Sequence, residues 1–96
     1  MKHETPYMYI FVRKDLPLAQ QIVQASHATH DAAWRFEKPR GGHNTHIALM
    51  KAKGEEDLIQ IKEYLESKGI ENEMFFEPDI NGFTAIATRP LIGDRK

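Results

Sequence analysis

Tyr7-Met8-Tyr9-Ile10-Phe11-Val12 is an unbroken apolar run that stops at Arg13-Lys14-Asp15. Six residues are the length of a strand, and the lack of polar alternation marks a strand covered on both faces. Such a strand lies inside a sheet with layers above and below it. The segment that follows supplies one of those layers. Leu16-Pro17 opens a helix over residues 17–36, with Pro17 suited to the first turn. Leu18, Ile22, Ala25, Thr29, Ala32 and Phe36 step three or four residues at a time and are predicted as its buried stripe. Thr29 is the polar member, and its hydroxyl can bond a carbonyl one turn earlier. The small residues Ala25, Thr29 and Ala32 let the helix approach a sheet closely.

Pro39 and Gly41-Gly42 make residues 37–44 a loop, and residues 45–50 read as a second strand. A second helix begins at Gly54, with Glu55, Glu56 and Asp57 where the helix dipole favours acids. Leu58, Ile61 and Leu65 are its apolar stripe, and Gly69 is its left-handed stop. Residues 73–76 form strand three, 78–82 a turn, and 83–88 strand four. The order is β-α-β-α-β-β. Right-handed crossovers make the first two connections parallel, and the short last one is antiparallel. The fold class is α/β, a three-layer α/β/α domain on a mixed four-stranded sheet.

Composition bounds the function. Ninety-six residues predict a single domain over 1–96, and 41% hydrophobic with 28% charged residues is ordinary for a folded chain. The absence of cysteine removes disulfides, thiolate metal sites and cysteine nucleophiles, and fits a reducing cytoplasm. Thirteen basic and fourteen acidic residues give a net charge of −1, which argues against gripping duplex nucleic acid over a broad surface. No run approaches a membrane span, no signal-peptide pattern opens the chain, and residues 93–96 read as a frayed tail.

A sheet of this kind collects ligands outside the carboxyl ends of its parallel strands. Arg13, Lys14 and Asp15, then Gln20, then Lys51 to Lys53, then Glu77 to Asn81 are predicted to meet there. The start of the helix adds free N–H donors suited to phosphate. The same stretches also read as plain solvated loop ends. Gln20, Gln24, His27, Asp31 and Trp34 make a second stripe on the first helix, expected roughly opposite the buried one. Trp34 is out of place on a merely hydrophilic face. It fits stacking on a base or burial between subunits. His27-x-x-His30 and His43-x-x-His46 invite a metal, but no zinc signature is present, and the histidines read as surface groups. No metal and no cofactor is expected. Neighbours on a helix point apart, so Ser26 and His27 do not make a nucleophile pair.

Arg13-Lys14-Asp15-Leu16 followed by Gln24-Ala25-Ser26-His27-Ala28, with Gly82-Phe83-Thr84-Ala85 near the end, resembles the peptidyl-tRNA hydrolase type 2 family. The resemblance spans nearly the whole chain and implies strand order 2-1-4-3. It also implies hydrolysis of the ester of peptidyl-tRNA. Two departures bear on that chemistry. Gln20 stands where the family has a functional lysine, and a neutral amide cannot replace a cation. Glu77-Pro78-Asp79-Ile80-Asn81-Gly82 stands where the family has Asp-Ala-Gly-x-Thr, with Asp79 matching the acid.

Compact chains of this pattern also resemble phage-encoded anti-CBASS sponges, which implies a homo-oligomer holding a cyclic dinucleotide such as cyclic GMP-AMP. Arg13, Lys14, Arg35 and Arg40 can serve its phosphates, and Trp34 or Tyr7 a base. Gln20, Gln24, His27, Asp31, Asn44, Asp79 and Asn81 can serve polar edges. A binding protein without catalytic residues is the leading reading. A peptidyl-tRNA hydrolase is the alternative, with tRNA as partner, and a structural protein that kept the fold is the third.

Overall fold

A computed structural model describes residues 6–36 and 45–92. The expected loop over 37–44, with Arg40, His43 and Asn44, and the expected tail over 93–96 lie outside the described residues. The elements are β1 (Tyr7–Arg13), α1 (Leu18–Arg35), β2 (His46–Ala52), α2 (Glu55–Ser67), β3 (Asn72–Glu77) and β4 (Gly82–Thr88). They form one mixed sheet in the order β2-β1-β4-β3. β1 pairs with β2 in parallel, and β4 runs antiparallel to both β1 and β3. The expected class and strand order are those observed.

The period-2 rule explains how the apolar run on β1 serves two layers. Met8, Ile10 and Val12 point to one face and pack with Ala28 and Ala32 of α1 and with Ala85 and Ala87 of β4. Tyr9 and Phe11 point to the other face, toward Leu58 and Leu65 of α2 and Ile86 of β4. Gly69 ends α2 with φ +73°, the left-handed stop read from the sequence, and Ile70 N–H returns to Leu65 O at 2.9 Å.

The buried face of α1 is not the predicted one. Gln21, Gln24, Ala28 and Ala32 face the sheet, whereas Leu18 is 66% and Ile22 60% exposed. Glutamines take the inner positions because their amides find partners there. Gln21 Nε2 donates to Leu16 O at 2.8 Å, and Gln24 bonds three side chains. Ala32 alone of the predicted stripe is fully buried, with Ala25 and Phe36 packed partly against the core. The stripe of Gln20, Gln24, His27, Asp31 and Trp34 accordingly does not run along the outer crest. Gln24 is buried, and the His27 ring stacks on Phe75 of β3 at 4.6 Å. This stripe descends the flank of α1 toward β3.

Candidate functional site

Two polar clusters meet where β1 ends. The first is built on Gln24, which is 2% exposed. Its Nε2 donates to Gln20 Oε1 at 3.2 Å and to Glu77 Oε1 at 3.1 Å, and its Oε1 accepts from the Thr84 hydroxyl at 2.8 Å. Glu77 Oε2 accepts the backbone N–H of Asp79 at 3.3 Å, which ties the turn after β3 to the same network. Asn81 closes that turn with φ +58°, a left-handed position that asparagine tolerates, and its N–H returns to Glu77 O at 2.9 Å. Gln20 and the turn holding Asp79 and Asn81 thus meet at this end of the sheet, and Gln24, expected on an outer stripe, is buried at the centre of the cluster. Thr84 was overlooked as a site residue, although it lies inside the quoted Gly82-Phe83-Thr84-Ala85 stretch.

The second cluster is built on Arg13. Its Nε and Nη2 grip Asp15 at 3.0 and 2.9 Å, and its Nη1 donates to Phe83 O at 3.2 Å. The Asp15 hydrogen bond raises the Arg13 pKa, and the same bond lowers that of Asp15. Glu55 Oε2 accepts the Phe83 N–H at 2.9 Å. Gly82 lets the chains meet here, since a Cβ on it would lie 3.2 Å from Glu55 Oε2 and 3.4 Å from Arg13 Nη1. The Arg13 fork, expected to be open to a phosphate, is therefore already held by a carboxylate. Lys14 is exposed beside it, its backbone N–H on Ala52 O at 2.8 Å.

The remaining predicted residues lie elsewhere. Trp34 is 80% exposed, and its indole N–H donates to His30 Nε2 at 3.0 Å. An open groove of about 610 Å³ runs past His30, Asp31, Trp34, Arg35 and Glu73. Arg35 there donates to Asn72 O at 2.9 Å and Glu73 Oε1 at 2.8 Å. Fourteen residues of helix separate Gln20 from Trp34, roughly 21 Å. One small ligand cannot touch both ends within one protomer. Tyr7 stands apart on the α2 side, its ring stacked with Tyr9 at 6.2 Å. Arg40 is outside the described residues.

A cleft of about 680 Å³ lies on the α2 side of the sheet, lined by Tyr9, Phe11, Met50, Ile61 and Tyr64 among others. It contains none of the expected ligand residues. Among the described residues, no group of three His, Asp or Glu is placed to share a metal ion. No described helix is long and apolar enough to cross a membrane. A family model described as peptidyl-tRNA hydrolase PTH2 matches residues 7–94. Comparison with curated proteins gives no match.

Proposed function

Because the chain belongs to the peptidyl-tRNA hydrolase PTH2 family, we propose that it is a non-enzymatic member that holds a nucleotide at the carboxyl end of its sheet. The observation that carries this reading is that the network around Gln24 holds no cation. Gln20, at the position where the resemblance expects a lysine, is an amide whose oxygen already accepts from Gln24. It brings no positive charge to polarise an ester carbonyl. The nearest charged member is the Glu77 carboxylate, held at both oxygens.

The ligand class we propose is a cyclic dinucleotide immune signal, sequestered by a homo-oligomer in host cytoplasm as a viral anti-defence sponge. Support for this finer reading comes from the resemblance and from residue chemistry. Lys14 offers an exposed cation. A phosphate that reaches Arg13 competes with Asp15 for its fork. The Gln20 amide, Asp79 and Asn81 offer polar edges. Trp34 and Asp31 join only from a neighbouring subunit.

The hydrolase reading is favoured by the family match itself and by Glu77, a carboxylate one amide removed from Gln20. A paired assay separates the two. The protein is incubated with an N-blocked aminoacyl-tRNA, and separately titrated with cyclic dinucleotides by calorimetry, with recovery of the ligand by chromatography. The expected result is no ester cleavage above background and a bound cyclic dinucleotide recovered intact. Turnover that disappears in Gln20→Ala or Asp79→Asn makes the protein a hydrolase. Neither binding nor turnover would overturn both readings.

A further inference from the structure

The two faces of β1 are unequally covered. Met8, Ile10 and Val12, on the α1 side, are 6, 1 and 1% exposed, whereas Tyr9 and Phe11, on the α2 side, are only partly buried. Aromatic residues on an inner strand of a sheet are normally covered. The shortfall comes from the position of α2, which lies mainly over β4 and leaves Met50 of β2 45% exposed. The space beside the helix is the cleft of about 680 Å³. That volume falls in the ~300–1,000 Å³ range of small-molecule sites.

The cleft is apolar in its middle and oppositely charged at its ends. Asp57, Ile61, Tyr64 and Lys68 recur at helical spacing along one side of α2 and its cap, and make one wall. Tyr9 and Phe11 make the floor. Lys68 Nζ stands 5.6 Å from the centre of the Tyr64 ring. No carboxylate among the described residues pairs with it. At the other end Asp57 Oδ2 accepts the Lys53 N–H at 2.9 Å. The two ends are roughly 16 Å apart along the helix.

We propose that this cleft binds a small planar aromatic monoanion, with its ring against Tyr64 and its acidic group beside Lys68. The lining selects each part of that ligand. Three aromatic side chains offer faces and edges to a ring, at about 0.5–1.5 kcal/mol per pair beyond burial. Lys68 favours a negative group at one end, and Asp57 repels it from the other, so the ligand enters in one orientation. A protein partner fits less well. The next stripe around α2 carries Glu56 and Glu63, charges that a broad interface would have to desolvate. The cleft lies across the sheet from α1 and from the Gln24 network, so the inference is independent of the nucleotide reading.

The test is fluorescence titration of the full chain with anilinonaphthalene sulfonate and with its neutral analogue phenylnaphthylamine. The parent is compared with Lys68→Gln, Tyr64→Ala and the control Ile22→Gln on the α1 side. All three substituted side chains are exposed, so thermal melts of the variants should show a folded chain. The parent is expected to bind one sulfonate per chain with Kd below about 100 μM. Lys68→Gln should weaken the sulfonate about fivefold and leave the neutral analogue unchanged, the size of a surface ion pair. Tyr64→Ala should weaken both, and Ile22→Gln neither. In spectra of chain labelled at its methionine methyls, the bound ring should shift Met50 and leave Met8, on the α1 side, in place. A parent that fails to bind the sulfonate at that concentration overturns the proposal. Sulfonate binding that either Tyr64→Ala or Lys68→Gln leaves unchanged overturns it as well.

Discussion

Thr84 and Gln24 show how one buried hydroxyl can hold a site together. The Thr84 hydroxyl, fully buried, is the donor to Gln24 Oε1 in that network. Replacing it with valine keeps the shape and leaves a buried amide oxygen without its partner. Thr84→Val is therefore expected to lower stability by about 1–3 kcal/mol, read from urea melts. Asp15 gives a milder prediction, because its pair with Arg13 is partly exposed, at 45 and 15% for the two side chains. Asp15→Asn should cost less than about 1 kcal/mol at neutral pH. The native Asp15 pKa lies below its ordinary value of 3.8, so the unfolded chain binds the proton more readily. The contribution is complete above that value and is lost as pH falls through the lowered native one. Melts of parent and variant should converge in strong acid.

Helix α2 and helix α1 divide along what a periodic pattern can tell. Leu58 and Leu65 are buried as their spacing demanded, and the acids at the start of α2 and Gly69 at its end mark its bounds. A Cβ on Gly69 meets nothing within 4 Å, so the cost of Gly69→Ala is conformational alone. It is expected at about 1–2 kcal/mol by thermal melts, with Gly69→Asn costing less. On α1 the same reasoning reached the wrong face. Leu18, Ile22, Ala25, Thr29 and Ala32 have helical spacing, but so do Gln21, Gln24, Ala28 and Ala32. Periodicity reports that a face is apolar, not what covers it. The inner glutamines are acceptable only because Leu16 O, Glu77 and Thr84 meet their amides, and Glu77 and Thr84 come from distant parts of the chain. The crevice was legible for the same reason the strand order was, since both follow from connection rules. Asp15 closing on Arg13 was not, because two opposite charges at the end of a strand carry no sign of whether they pair.

Over the whole molecule, a net charge of −1 supplies no long-range attraction, so association has to rest on short-range burial. A homo-oligomer of this chain should therefore resist salt. Raising ionic strength from low to molar levels is expected to leave the association constant the same or tighter, measured by sedimentation equilibrium. A steep weakening with salt would point to ion pairs between subunits instead.

The strand order also has a consequence in time. Of the four strands of the sheet β1 is the first to leave a ribosome, and it lies between β2 and β4. Its antiparallel partner residues are 85–87, and Tyr7 is bridged to Leu91 through two backbone bonds of 2.8 Å. The apolar run that organises the domain must therefore wait, with one edge open, until β4 has been synthesised. Loop closure over such a span is slow compared with a local hairpin. Nascent chains halted before residue 82 should hold β1 and β2 without the strand that joins them to the rest. During that interval, a chain with Tyr7 to Val12 uncovered is a natural client for a chaperone.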